Sequence, residues 1–436
     1  MNDQPCSSET DLFPALESNL LERILAPENL QTAWKQVRSN KGAPGVDGVT
    51  IEEYPKWIRP RWEKLRRALM EGYYHPQSVL RVVIPKPGGG QRLLGIPTVH
   101  DRVIQQAITQ VLNTEIDSTF SQNSSGFRPG RNAHQAVKRI NQFIKDGHQI
   151  AVDIDLSKFF DRVNHDILMT KLGKYIHDKR VMKLIGHYLR AGVIVDGARE
   201  PTTEGVPQGG PLSPLLANVM LDELDKYLES RQLRFARYAD DFVICVKSSS
   251  RGHRVKQQVT TFLQNKLKLE VNEEKSAVRK SSELNFLGFT FIRKQIRWSE
   301  ASLRQFKYRI RQLTGRSWGV SMAYRYHKLR EYIQGWMGYY ALSAYYRPLP
   351  LLDEWIRRRI RMCYLKQWRK PRTRIRNLIE LDVPIREAIS IGLSSKGPYR
   401  LAKTFAVHRG LSNAFLKQQG FISIKDLWVK FHYPKG

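Results

Sequence analysis

The sequence predicts an α+β fold that gives way, beyond Ser299, to an all-α region. Three observations predict it. Short apolar runs with two-residue alternation recur through the first 300 residues, separated by stripes of helical period. Beyond Ser299 the periodicity is helical almost throughout, with turns marked by proline. The chain has 436 residues, 41% of them hydrophobic, which supplies cores for about three domains.

Taken in order, residues 15–40 read as helix with a break near Pro27. Residues 41–48, with Gly42, Gly45 and Gly48, form a glycine-rich loop, weak evidence by itself for phosphate binding. Residues 57–71 are helical and basic. Residues 79–84 and 91–96 read as the two strands of a hairpin, turned by Pro85-Lys86-Pro87-Gly88-Gly89-Gly90. A long helix is expected from about Asp101. In residues 150–157, Ile150, Val152, Ile154 and Leu156 alternate with Ala151, Asp153, Asp155 and Ser157, the pattern of a strand. Phe160, Val163, Ile167 and Leu168 mark a helix. Residues 213–229 carry Leu216, Val219, Met220, Leu224 and Tyr227 on one side of another. Residues 235–246 read as a hairpin with Ala239-Asp240-Asp241 at its tip. A third stripe runs from Val255 to Leu267, and residues 269–278 and 285–292 read as strands. This order describes a sheet with helices layered on one face.

Charge narrows the class of partner. Lys and Arg number 72 against 41 Asp and Glu, a formal charge of +31. From Ala301 to Gly436 there are 28 Lys and Arg against 7 Asp and Glu, together with 5 of the 9 Trp and 11 of the 18 Tyr. Such an excess repels itself unless a polyanion is present, and cations interleaved with aromatics suit phosphate contact and base stacking. A nucleic acid is therefore expected; a solvated basic helical face is the plainer alternative. Cys6, Cys245 and Cys363 form no paired-cysteine motif, which argues against a zinc knuckle or disulfide framework and fits a reducing compartment. Residues 1–10 lack the pattern of a signal peptide, and no apolar run approaches the about 20 residues that span a bilayer. A soluble, cytoplasmic protein is expected, with no membrane partner.

Two places set acids among apolar neighbours: Asp153 and Asp155 on one strand face, and Asp240-Asp241 at a tight turn. Adjacent carboxylates repel unless a cation lies among them. Oxygen donors suit Mg²⁺, and two such ions about 3.5–4 Å apart activate a hydroxyl and steady a leaving group in phosphoryl transfer. By itself Asp240-Asp241 fits equally a β-turn whose side chains bond backbone N–H groups.

Tyr238-Ala239-Asp240-Asp241, between apolar strands and 85 residues after Asp155, resembles the catalytic hairpin of reverse transcriptases. In that family the other metal-binding Asp is followed five residues later by an aromatic. Asp155 has Phe160 there, whereas Asp153 has Lys158, so the resemblance implies Asp155, Asp240 and Asp241 as catalytic metal ligands and leaves Asp153 a supporting role. Val206-Pro207-Gln208-Gly209-Gly210-Pro211-Leu212-Ser213-Pro214-Leu215-Leu216-Ala217-Asn218 is similar to the motif that packs against template and incoming nucleotide, with Gln208 as the nucleotide contact. Ile84-Pro85-Lys86-Pro87-Gly88-Gly89-Gly90-Gln91-Arg92-Leu93-Leu94-Gly95-Ile96-Pro97 resembles the fingers hairpin of group II intron enzymes, in which Lys86 and Arg92 would grip the triphosphate. Ser125-Gly126-Phe127-Arg128-Pro129-Gly130-Arg131 is another such string, with Arg128 and Arg131 as template or structural contacts. The resemblance further implies that Phe160 excludes a 2′-hydroxyl, that Lys275 is a possible general acid toward pyrophosphate, and that residues 285–289 form a primer-grip hairpin.

The tail resembles the maturase region of group II intron proteins, in Gly335-Trp336-Met337-Gly338-Tyr339-Tyr340, in residues 352–361 and in residues 366–371. The resemblance implies a right-hand-like polymerase with fingers and palm, then an all-α thumb and maturase region. Its parts would be an N-terminal extension (1–64), reverse transcriptase fingers and palm (65–295), thumb/maturase region (296–380) and a basic C-terminal part (381–436). Implied partners are intron RNA, an RNA template with a DNA primer, and dNTPs; the implied cofactor is a pair of Mg²⁺ ions, for which Mn²⁺ substitutes. Many relatives add a zinc-bearing endonuclease; its paired cysteines and clustered histidines are not in this sequence, so a primer for mobility is expected from elsewhere. Two other functions fit the same residues: a free-standing or defence-associated reverse transcriptase, and an RNA-binding splicing chaperone without polymerase activity. Intron RNA structure in the flanking DNA separates the first from the intron-encoded reading. Loss of activity in acid variants separates the second.

Overall fold

A computed structural model describes residues 19–85 and 91–434, so Lys86 and the rest of the fingers turn lie outside the described residues. The chain divides into two compact units, residues 1–280 and 281–436.

In the first unit the strands are β1 (Val79–Pro85), β2 (Gln91–Ile96), β3 (Ile150–Ile154), β4 (Val193–Val195), β5 (Ala198–Glu200), β6 (Arg234–Tyr238), β7 (Asp241–Val246) and β8 (Ala277–Lys280). They build two four-stranded sheets, β2-β1-β4-β5 and β6-β7-β3-β8. The first is the expected hairpin, registered Leu80 to Ile96 through Pro85 to Gln91, widened by β4 running parallel to β1. The second is antiparallel throughout, with β3 pairing Ile150 to Val246 and Ile154 to Phe242.

Phe242 through Val246 are all buried. Successive residues of a strand point to opposite faces, so both faces of this sheet are covered, not the single face expected. Helices Ala133–Lys145 and Ser249–Phe262 lie against its strands, and Ser213–Ser230 packs beside β6. Each starts on a local signal. Asn132 and Gln135 form a reciprocal capping box, Ser248 accepts from the Arg251 N–H, and Pro214 stands in the first turn of the third. Helices within residues 20–70 share the same core, where Leu20, Ile24, Ala33 and Val37 join Ile104 and Ile108. Residues 20–37 are thus part of the first unit's core.

Several expected elements differ: residues 285–292 form a strand only from Phe289, and residues 57–71 break between helices Tyr54–Ile58 and Trp62–Met70. Phe160 to Leu168 is not one helix: Phe159–Asp161 is a 3₁₀ turn entered through Lys158 at φ 49°, and helix His165–Leu172 restarts on the Asn164 side-chain cap. Residues 269–278 are not one strand. Val271 makes an isolated bridge to Leu156, and regular pairing begins at Ala277.

The second unit opens with hairpin β9 (Phe289–Ile292) and β10 (Gln295–Trp298). Its helices include Glu300–Leu313, Met322–Tyr340 and Leu349–Gln367. Trp336 packs on Trp298, Phe306 and Tyr340, with ring centroids 4.5–5.5 Å apart. Phe289 meets Tyr339 and Tyr340, which ties the hairpin to the helices of this unit. Ser299 and Ser321 cap the first two helices, and Asp353 accepts from the Ile424 and Lys425 N–H groups at the start of Ile424–His432. Among the described residues no helix is long and apolar enough to cross a membrane.

Candidate active site

The acids gather at one end of the β6-β7-β3-β8 sheet. Tyr238 pairs with Asp241, so Ala239 and Asp240 alone make the turn between β6 and β7. Ile154 pairs with Phe242, so the next residues outward, Asp155 and Asp241, stand at the same end of the ladder. Asp153 pairs with Val243 on one side and Ala277 on the other.

Asp155 is clamped from both directions. Its N–H donates to Ser276 Oγ at 3.0 Å, and its carbonyl accepts from the Asn272 N–H at 2.8 Å. The Asn272 N–H, and the Glu270 carbonyl that accepts from the Ser157 N–H, are thus spent on residues 155–157 outside a regular ladder. Lys256 holds the segment from behind through Glu273 Oε2 at 2.6 Å and the Ser276 carbonyl at 3.1 Å. Lys275 Nζ stands 3.8 Å from Asp155 Oδ2, and Arg279 Nη2 stands 3.4 Å from Asp153 Oδ2.

The electrostatics are those of crowded carboxylates. Desolvation, then the charges of Asp240, Asp155 and Asp153, push Asp241 up to about 6. Asp241 keeps a solvent-exposed face, and water screens part of this repulsion. Desolvation raises Asp240 as well; Asp155 adds to the rise, while Arg92 and Arg237 oppose it. Asp153 is raised to about 6, chiefly by burial, against the pull of Arg279. The field of Arg92, an exposed residue of β2, thus reaches the acid at the turn.

These residues fit a divalent cation in kind. The donors are all carboxylate oxygens, and their mutual repulsion is what a hard cation relieves. Among the described residues no three acidic, histidine or cysteine side chains are already drawn together as a cage. Asp155 and Asp153 instead lean toward Lys275 and Arg279.

Phe160 is half-buried, its ring edge-on to Phe159 at 5.1 Å, and its carbonyl accepts from the Val206 N–H at 2.6 Å. The Gln208 carbonyl accepts from the Gly95 N–H at 2.7 Å, joining this loop to β2. At Gly209, with φ 126°, an added Cβ would lie 2.5 Å from the Gly95 carbonyl oxygen, so only glycine permits the approach. Arg128 is not free for a template. It is buried and bonds Asp117 Oδ1 at 2.7 Å and the carbonyls of Asp117, Ser121 and Ser124. Arg131 bonds the Gln122 side chain and carbonyl.

Sequence reasoning missed Ser276 and Arg237. Arg237 is fully buried on β6 and ion-pairs with Asp225. A signal existed: Asp225 shares a helical face with Leu221 and Leu228, a core position that an acid occupies only with a partner.

With this geometry in view, residues 84–291 match the family model for reverse transcriptase (RNA-dependent DNA polymerase). Residues 303–379 match the group II intron, maturase-specific domain. The chain is 34% identical to Protein YkfC of Escherichia coli (strain K12) over 322 residues, covering 64% of this chain and 84% of that protein. It is 30% identical to the group II intron-encoded protein LtrA of Lactococcus lactis subsp. cremoris over 364 residues, covering 68% of this chain but 60% of that protein. A solved structure titled Partial Cas6-RT-Cas1--Cas2 complex is 25% identical with a TM-score of 0.37, over 59% of this chain and 45% of that one.

Proposed function

The chain belongs to the family of group II intron-encoded reverse transcriptases and maturases, and from that premise we propose that it copies RNA into DNA with Asp155, Asp240 and Asp241 as its catalytic acids. The observation that carries the assignment is the convergence of those acids at one sheet end, within the field of Arg92. Two Mg²⁺ ions, or Mn²⁺ in their place, would lower the cost of ionising the primer 3′-hydroxyl and of releasing pyrophosphate. Asp155 and Asp241 orient the reacting groups from β3 and β7, and Asp240 from the turn. Arg92, with Lys86, holds the triphosphate. Gln208 lies along the incoming base pair, and Phe160 packs under the sugar. As the 3′-oxygen gives up its proton to solvent and bonds to the α-phosphorus, the bond to the bridging oxygen breaks and Lys275 gives the departing pyrophosphate a proton; its Nζ is 3.8 Å from Asp155 Oδ2.

The test is incorporation of dNTPs on an RNA template with a DNA primer. Asp240→Asn should fall to a small residual rate while retaining primer–template binding. Full activity in that variant ends the assignment.

We propose in addition that the basic helical unit holds intron RNA and stabilises it for splicing. The support is the charge and aromatic content of residues 301–436, with Arg311 and Arg359 both over the Trp355 ring at 5.7 and 5.6 Å. Splicing at near-physiological salt should survive Asp240→Asn and fail on reversing the charge of the exposed Arg372 and Arg376.

A further inference from the structure

The turn that carries Asp240 cannot hold its own shape. Ala239 sits at φ 60°, a left-handed conformation that a residue with a Cβ avoids. Something outside the turn must impose it, and the neighbouring residues form a continuous support.

Arg237 is 0% exposed, so it never meets substrate or solvent. Its Nε donates to Asp225 Oδ1 at 2.8 Å and Oδ2 at 3.0 Å, and its Nη2 donates to Asp225 Oδ2 at 2.5 Å. Its Nη1 donates to Asn218 Oδ1 and to the Ala239 carbonyl, each at 3.0 Å. One arm of the guanidinium therefore grips the turn while the rest is locked to helix Ser213–Ser230. Asn218 extends the grip, donating from Nδ2 to the Gly126 carbonyl at 2.9 Å. Gly126 presses on the turn from the other side: a Cβ there would lie 2.1 Å from the Ala239 nitrogen. The Gly126 loop is in turn tied to β6, because the Arg237 carbonyl accepts from the Ser125 N–H and the Arg237 N–H donates to Asn123, both at 2.9 Å.

We infer that Arg237, braced by Asp225 and Asn218, is a positioning residue that fixes Asp240 for nucleotide addition. The inference rests on the reading of Asp240 as catalytic. A buried ion pair is a poor device for stability, since apolar residues of similar volume often serve as well. What apolar residues cannot supply is a donor aimed at the Ala239 carbonyl while the same group is anchored at three other points.

The test uses the full chain. The double variant Arg237→Met with Asp225→Leu removes both charges together, and Arg237→Lys keeps the charge but loses the fork. Each is measured for near-ultraviolet circular dichroism, primer–template binding, single-turnover incorporation and the Mg²⁺ concentration for half-maximal rate. We expect folded protein, binding within about threefold of the parent, and incorporation slowed by about a hundredfold. The half-saturating Mg²⁺ should rise by about tenfold, a change that a purely stabilising role would not produce. Should the double variant fail to fold, Arg237→Lys alone decides by the same readouts. A folded variant with parental rate and Mg²⁺ dependence overturns the inference. Asp240→Asn, run beside them, separates the two claims. If it stays active, the catalytic reading of the turn fails. If it is dead while Arg237→Lys is parental, only the positioning role fails.

Discussion

Substituting Gly209 by alanine tests whether the loop before helix Ser213–Ser230 is seated on β2 by backbone contact. The new Cβ would lie 2.5 Å from the Gly95 carbonyl oxygen. Relief to a contact of about 3.3 Å needs a shift of about 0.8 Å. The Gly95 N–H to Gln208 carbonyl bond, now 2.7 Å, would stretch to about 3.5 Å, where it ceases to count. Losing it costs about 1 kcal/mol, and holding alanine at φ 126° adds about 1–3 kcal/mol. Gln208 moves with the loop, and a displacement near 1 Å at a reacting centre costs up to about a hundredfold. The control is Gly130→Ala, where φ is 66° and nothing stands within 4 Å of the new Cβ, so only the left-handed penalty applies. The assay is kcat/KM for dNTP on an RNA template, with urea unfolding of each variant. Gly209→Ala should lose most of its kcat/KM and unfold at lower urea than Gly130→Ala. If the two variants match in both measurements, the seating argument is wrong.

Phe160→Ala should admit ribonucleotides: the dNTP-to-rNTP ratio of kcat/KM should fall by about a hundredfold, with dNTP use largely kept, and an unchanged ratio refutes the sugar contact. The pH dependence of stability without divalent cations has a definite sign. Asp241 and Asp153 are raised to about 6, so between their unfolded values near 4 and about 6 the folded state holds protons that the unfolded state releases, and stability falls as pH rises. Solvent screening limits the effect to about 1 kcal/mol for Asp241; urea midpoints at pH 4.5 and 7 in EDTA should show the drop, smaller in Asp241→Asn, and an equal drop in that variant refutes it.

The parts of the fold that were legible are those whose signal lies within one element. β3 announces itself by alternation and the β6-β7 hairpin by apolar runs on either side of a tight turn, and the acids stand out because apolar residues flank them. Helix Ala133–Lys145 carried an equally local signal in Asn132 and Gln135, which went unread. What was illegible depends on a partner distant in the chain. Strands β4 and β5 are three residues each, too short for a period; β4 exists because β1 offers a parallel edge, and β5 pairs antiparallel with β4. Residues 270–276 are expected within a strand, yet the Glu270 carbonyl and the Asn272 N–H go to Ser157 and Asp155. Arg128 and Arg237 share a chemistry that composition assigns to the surface. Only the carbonyls and carboxylates that surround them in three dimensions reveal them as internal braces.

Two kinds of ion pair therefore meet at the same sheet. Arg237 and Asp225 are fully buried, with three contacts of 2.5–3.0 Å; exchanging either partner leaves an uncompensated charge, so the pair holds its geometry. Lys275 and Asp155 are 3.8 Å apart with side chains 66% and 38% exposed, a spacing at which solvent screens most of the attraction. Under the role proposed for Asp155, its release to a divalent cation would cost little, because water already competes for both charges. A site working as proposed, with Asp155 passing from Lys275 to a cation, is served by the second kind of pair at the acids and the first kind behind them. Shortening and burying the Lys275 contact would strengthen the resting site and slow the enzyme; loosening Arg237 would leave the acids free to move when the nucleotide arrives.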